Sequence, residues 1–223
     1  LSFVYELYII AIKKIIKHTN CKQPNQGINM SATTSVLQQK NAKHLIQSFS
    51  DLSYIKNPES THIISRADGV YIYDNDGKKI LDSMSGLWCV NMGYGQSSII
   101  DAVNEQMKEL VYYNNFFGSS HPSAIKLSEM IADKTPEGMN KVYFCGSGSE
   151  ANDTVVRLVR HYWAARGKPS KSVIISRTNA YHGSTMAGAS LGGMSAMHAQ
   201  GGLPIADIEH VEQPYYYDAC VEA

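Results

Sequence analysis

The chain has 223 residues, 43% of them hydrophobic, which supports a real core and excludes a disordered chain. Twenty basic residues balance twenty acidic ones, so no net field argues for nucleic acid or an anionic membrane, and the expected partner is a small molecule. Cys21, Cys89, Cys145 and Cys220 lack the close paired spacing of a zinc site; they read as four reduced thiols of a cytoplasmic protein, with no metal expected and Cys145 packing a strand.

Taken in chain order, Phe3 to Ile16 is apolar but broken by Glu6, Lys13 and Lys14, too short and too charged to span a bilayer. The lysines follow the apolar run, which argues against a signal peptide. Ordinary soluble character begins at Met30, so residues 1–29 are expected to be upstream sequence translated in frame, an amphipathic surface helix being the alternative. Ser31 to Lys43 is compatible with a helix. Val70-Tyr71-Ile72-Tyr73 alternates as a strand does, Asp74-Asn75-Asp76-Gly77 is a turn, and Lys79-Ile80-Leu81 returns, predicting a hairpin. Ile99, Val103, Met107 and Leu110 recur at helical spacing and predict an amphipathic helix over 97–111; Ala124, Leu127 and Ile131 mark another.

From Lys141 the pattern becomes strand, glycine-serine turn, helix from Ser149 to about Arg166, a Gly167-Lys168-Pro169 stop, and a strand over 172–176. Ile208 to Val211 offers a further strand before Tyr215-Tyr216-Tyr217. This is a βαβ pattern, for which a parallel sheet with ligands at the carboxyl ends of its strands is expected. Both loops that carry chemistry, 145–149 and 179–183, fall at that edge.

Gly146 and Gly148, with the small Ser147 and Ser149, let backbone approach a ligand closely and leave amides as donors. The helix that follows adds a partial positive charge, and Ser149 adds a hydroxyl, so the loop suits a phosphate dianion. Tyr181, just past the next strand, offers an aromatic face. Together they suggest an aromatic cofactor carrying a phosphate. Ser147 and Glu150 also have capping-box spacing, so the same residues would serve merely to start a helix. Gly146-x-Gly148-x-x-Ala151 fits a relaxed dinucleotide fingerprint too, although Ser176 and Arg177 stand where a ribose-binding acid belongs. No Gly-Lys-Ser/Thr follows, which excludes a P-loop. Neither His182 nor His121 has triad partners at recognisable spacing, and both read as structural. Asp153 is placed in the first helical turn, where its charge interacts favourably with the helix dipole.

Beyond these loops, the chain resembles the class III pyridoxal-phosphate aminotransferases, especially the branch that moves amino groups from ω-amino acids or diamines such as putrescine to pyruvate. The strings that carry the resemblance are Asp68-Gly69-Val70, Gly86-Leu87-Trp88-Cys89-Val90-Asn91-Met92-Gly93-Tyr94-Gly95, Asn115-Phe116-Phe117, Gly146-Ser147-Gly148-Ser149-Glu150-Ala151-Asn152-Asp153 and Tyr181-His182-Gly183-Ser184-Thr185. The implied fold is α/β, that of a fold-type-I pyridoxal-phosphate-dependent transferase: the start of a large-domain, mostly parallel sheet plus an amino-terminal segment of the small domain. Residues 30–92 would form that segment with its hairpin, and 93–223 the first part of the cofactor-binding domain.

The resemblance implies pyridoxal 5'-phosphate as cofactor, its phosphate held by Gly148 and Ser149 with Ser147 beside them, and its ring stacked on Tyr181. It implies that Trp88 walls the substrate pocket and that Phe116 and Phe117 form an apolar pair at a homodimer interface; each would equally serve as plain core. The chemistry also needs a lysine that holds the cofactor and moves the proton, and an acid beside the pyridine nitrogen. Lys141, Lys168 and Lys171 read as solvated, and neither group has a matching context in residues 1–223. The chain therefore resembles an amino-terminal half, expected to be inactive alone and to leave apolar faces uncovered. A dinucleotide-dependent oxidoreductase, or an inert or partner-binding product, stands as the alternative.

Overall fold

The computed structural model describes residues 32–215, which divide by contact into two units after Tyr113. The upstream segment 1–29, Met30, Cys21, Cys220, Tyr216 and Tyr217 lie outside the described residues.

The first unit is built on the predicted hairpin. Strands β2 (Tyr71–Asp74) and β3 (Lys79–Leu81) pair antiparallel with Ile72 opposite Ile80. Asp74 closes the turn, its Oδ1 accepting from the amides of Asp76 at 3.0 Å and Lys78 at 2.8 Å, while Gly77 takes a φ of +86°. A third strand, β1 (Ile64–Asp68), pairs antiparallel with β2. Arg66 lies 3.6 Å over the Tyr73 ring and Lys79 lies 3.8 Å over the Tyr71 ring, cross-strand contacts that cover the sheet's aromatic residues with cations.

Helix α1 (Thr34–His44) falls where the sequence put it and is tied down by side-chain hydrogen bonds. Thr34 accepts from Asn75 Nδ2 at 3.0 Å, and Gln38 and Asn41 donate to Thr61, a buried residue. The short helix α2 (Leu52–Ile55) buries Ile55, the buried apolar side chain among the described residues of this unit. A helical turn, α3 (Ser85–Trp88), and the helix α4 (Ser97–Glu109) follow. The apolar positions of α4, Ile99, Val103 and Met107 among them, are about half exposed.

In the second unit α5 (Pro122–Ala132) is capped by His121, whose Nδ1 accepts from the Ala124 amide. Pro122 at the first helical position loses nothing by lacking an N–H. The long helix α6 (Gly148–Ala165) is followed by β4 (Ile174–Arg177), α7 (Met186–Leu191), α8 (Ser195–His198) and β5 (Ile208–Val211). Strands β4 and β5 pair parallel, Ile174 opposite Ile208 and Arg177 opposite Val211. Val156 of α6, Leu191 of α7 and Ile208 of β5 are buried together, with Ile174, Ala187 and Ile205 packed on them. Each fully buried aliphatic side chain of this cluster contributes roughly 1.5–3 kcal/mol. Arg160 staples α6 to the sheet's edge by donating to Ala206 O at 2.6 Å and Ser172 O at 3.3 Å.

Two expectations are corrected. Residues 141–145 form no strand: the segment is without ladder partners among the described residues, and Tyr143, Phe144 and Cys145 are exposed. Apolar content alone does not make a strand where no neighbour supplies hydrogen bonds. The parallel pair is β4 with β5, and Cys145 packs no strand; its thiol faces Ser147 O at 3.4 Å.

The link from α7 to β5 is fixed by a pair of histidines. His198 Nε2 lies 2.7 Å, and His210 Nε2 2.9 Å, from the carbonyl of Gly192, with the two rings edge to face at 5.1 Å. The adjacent Gly193 exchanges hydrogen bonds with the loop after β4: its amide donates to Ala180 O at 2.9 Å and its carbonyl accepts from Asn179 N at 3.0 Å. A Cβ at Gly193 would overlap Arg177 O.

Candidate functional site

Helix α6 begins with a variant of the capping box in which the glutamate reaches one residue further back than the N-cap. Ser147, in an extended conformation at the N-cap, accepts from the Glu150 amide at 3.2 Å, and the Glu150 carboxylate accepts from the Gly146 amide at 2.6 Å. Gly146 is therefore no free donor, as its amide is already engaged. The amides of Gly148 and Ser149 are different. They are the first two of the helix, below any intrahelical carbonyl, and they have no acceptor among the described residues. A Cβ at Gly148 would meet nothing within 4 Å, so that backbone is open to approach.

Opposite this helix end lies the Tyr181 loop, held in place by atoms of α6. The Ser184 amide donates to Ser149 Oγ at 3.2 Å, and Asn152 Nδ2 donates to His182 O at 2.6 Å. Thr185 Oγ1 donates to Asp153 Oδ1 at 2.6 Å, and the Gly188 amide donates to the same oxygen at 3.1 Å. Gly183 sits so close that a Cβ there would lie 2.5 Å from Ser149 Oγ and 2.8 Å from Ser149 Cα, and its φ is +128°. The loop packs directly on Ser149, in the first turn of the helix. Tyr181 itself is a little over half exposed.

Asp153 is the second correction at this site. Glu150 is the acidic residue of the first turn of α6, whereas Asp153 lies beyond it and turns its carboxylate to the start of α7. His182 contributes its backbone carbonyl to this contact. The residues Asn152, Gly183 and Thr185 fall within the strings that carry the family resemblance, but the parts they play were not readable in sequence, because each depends on contacts about thirty residues apart in the chain.

These groups match a phosphate monoester. Ser149 Oγ accepts from Ser184 and so keeps its own proton to donate, and the two unpartnered amides lie at the positive end of an 18-residue helix. An open cavity of about 220 Å³ at the carboxyl ends of β4 and β5 is lined by Arg177, Thr178, Asn179, Ala180, Gln213 and Tyr215 among others; Ser147, Gly148, Ser149 and Tyr181 are not part of its wall.

The remaining predicted residues are exposed. Trp88 is 79% exposed, and the rings of Phe116 and Phe117 lie 6.0 Å apart with Phe117 fully exposed. Trp88 follows a backbone held by Asp82, whose Oδ2 accepts from the Gly86 amide and the Tyr94 hydroxyl, each at 2.8 Å. The Tyr94 hydroxyl holds the Asp82 carboxyl below the usual carboxylate range, and the same bond raises the phenol above the usual tyrosine value. Lys168 and Lys171 are exposed, with Lys171 Nζ 3.8 Å over the Trp163 ring. Among the described residues no group of three or more His, Cys, Asp or Glu is arranged to hold a metal, and no helix is long and apolar enough to cross a membrane.

The Aminotransferase class-III family profile matches residues 54–222. The chain belongs to the class-III aminotransferase family. It is 54% identical over 187 residues to a putrescine–pyruvate aminotransferase of Pseudomonas aeruginosa, spanning 84% of this chain and 41% of that protein. It is 43% identical over 160 residues to a diaminobutyrate–2-oxoglutarate transaminase of Halomonas elongata, spanning 72% and 34%. Among solved structures, a transaminase from the marine bacterium Virgibacillus superposes with a TM-score of 0.78 at 39% identity, covering 81% of this chain and 41% of that one. The omega transaminase of Pseudomonas jessenii in complex with PMP does so with a TM-score of 0.78 at 37% identity, covering 81% and 40%. The chain thus spans between about a third and two fifths of the length of these relatives. Class-III aminotransferases depend on pyridoxal 5'-phosphate, which displaces the dinucleotide reading of the Gly146–Ala151 loop.

Proposed function

We infer that this chain is part of an aminotransferase that moves an amino group from a diamine, ω-amino acid or other amine to an α-keto acid such as pyruvate. The observation that carries the reading is the start of α6: two unpartnered amides and a serine hydroxyl locked to an aromatic loop, within a segment that matches the family. Gly148 and Ser149 bind the cofactor's phosphate through backbone and hydroxyl, with Ser147 setting the helix start. Tyr181 lies against the ring and fixes its plane. Bound there, pyridoxal phosphate supplies the electron sink that lets the amine substrate lose the proton next to its nitrogen. The chain's own residues hold that group in register; Trp88 is proposed as apolar wall for the donor's carbon chain, and Phe116 with Phe117 as the apolar pair at the homodimer interface. The protein is proposed to work in the cytoplasm as a homodimer. Because the relative at 54% identity is named for putrescine and pyruvate, these are the first substrates to assay.

Ser149→Ala in the full-length protein tests the site. Loss of one hydrogen bond to a dianion weakens pyridoxal phosphate binding by roughly tenfold to a hundredfold, while pyridoxal, which has no phosphate, binds with unchanged affinity. Equal loss for both ligands refutes the phosphate assignment.

A further inference from the structure

The loop that carries Trp88 has an unusual backbone. Ser85, Gly86, Leu87 and Trp88 take φ values of 52°, 58°, 66° and 65° in succession, a left-handed run that costs energy for each residue with a Cβ. Such a run persists only where its surroundings impose it. The Trp88 side chain is mostly exposed and so does little to fix itself; the backbone must place it.

Asp82 and Tyr94 are the groups that impose the run. Asp82 Oδ2 receives the Gly86 amide and the Tyr94 hydroxyl together. Tyr94 is anchored in turn, its amide donating to Gly69 O at 2.7 Å and its carbonyl accepting from Gly69 N at 3.2 Å. Inside the loop, Ser85 O accepts from the amides of Cys89 and Val90, both at 2.9 Å, and Trp88 N donates to Met84 O at 2.8 Å. A Cβ on Gly86 would lie 2.7 Å from Val90 Cγ2 and 3.0 Å from the Tyr94 hydroxyl oxygen, so the loop closes tightly on that phenol. The Trp88 loop is thereby indexed to the segment joining β1 and β2.

We propose that Asp82 and Tyr94 are positioning residues that set the Trp88 loop and through it the fit of the amine donor. This rests on the reading of Trp88 as substrate wall. Neither residue touches reacting atoms, so their loss alters donor KM and leaves kcat within about twofold. The net worth of a single such hydrogen bond corresponds to a rise in KM of roughly three- to tenfold.

The test uses the full-length enzyme with Tyr94→Phe, Asp82→Ala and Asp82→Asn, the last keeping an acceptor oxygen. Hydrogen exchange over residues 84–92 is measured beside the KM for putrescine, with Trp88→Ala as a control for the wall itself. Faster exchange with a raised donor KM in Tyr94→Phe and Asp82→Ala, partly rescued in Asp82→Asn, is the expected result. A lowered melting temperature with unchanged exchange and KM overturns the inference and leaves the Trp88 reading intact if Trp88→Ala still changes KM. Faster exchange with unchanged KM, and a Trp88→Ala variant equally indifferent, overturns both. Should Asp82→Ala not fold, Tyr94→Phe, which removes one oxygen, decides alone.

Discussion

Replacing Gly183 with alanine tests whether the Tyr181 loop is seated on helix α6. Two routes are open to the variant. If the backbone stays, the new methyl must be fitted 2.5 Å from Ser149 Oγ at a φ of +128°. A side chain in that region costs about 1–3 kcal/mol and overpacking a further 1–3 kcal/mol. If the loop moves instead, it forfeits the bonds from Ser184 N to Ser149 Oγ, from Asn152 to His182 O and from Thr185 to Asp153. At about 0.5–1.5 kcal/mol each, that route costs about 2–4 kcal/mol. The protein takes the cheaper one, so urea unfolding followed by Trp163 fluorescence is expected to show a loss of about 2–4 kcal/mol. Pyridoxal phosphate affinity falls with it, because either route displaces Ser149 or Tyr181. A variant within about 0.5 kcal/mol of the parent, at unchanged denaturant dependence, would refute the close packing.

Gly148→Ala is expected to behave in the opposite sense: its Cβ meets nothing and alanine favours helix, so stability holds or rises by up to about 1 kcal/mol, while isothermal titration shows weaker pyridoxal phosphate binding. Asp153→Ala removes the acceptor shared by Thr185 Oγ1 and the Gly188 amide, and chemical denaturation should register a loss of about 2 kcal/mol, with Asp153→Asn in between. In the absorbance difference between the parent and Tyr94→Phe, the Tyr94 phenolate should form above the ordinary tyrosine range, and Asp82→Asn should bring it down. The sign follows from the bond: the phenol is the donating form, so its contribution to stability is complete below the ordinary tyrosine value and is lost as pH rises through the raised one. For Asp82 the contribution is complete above the ordinary carboxylate value and is lost as pH falls through the lowered one.

How much of this was legible in sequence depended on how local each cause is. The hairpin was read because Asp74 and Gly77 make their turn within five residues. Helix α6 was read from Ser147 and Glu150, which cap it three residues apart. Strand β1 was not read: Ile64-Ser65-Arg66-Ala67-Asp68 has little strand propensity, and its pairing with β2 decides its conformation. Residues 141–145 failed the other way, with strong propensity and no partner among the described residues. At the site, Gly148 and Ser149 stood out by residue type. The closure of the loop by Gly183, Thr185 and Asp153 is a matter of tertiary distance and left no pattern.

The Gly192 corner bears on the order in which the site is assembled. A carbonyl oxygen only accepts, so His198 and His210 both donate to it from Nε2. Through Gly193 that corner grips Asn179 and Ala180, immediately before Tyr181. The aromatic loop is thus registered by a residue some thirty positions downstream on β5, and its closure waits on a non-local contact. During synthesis, Tyr181 emerges well before His210, so the contacts that the Gly192 corner adds to its loop form only once β5 has docked beside β4.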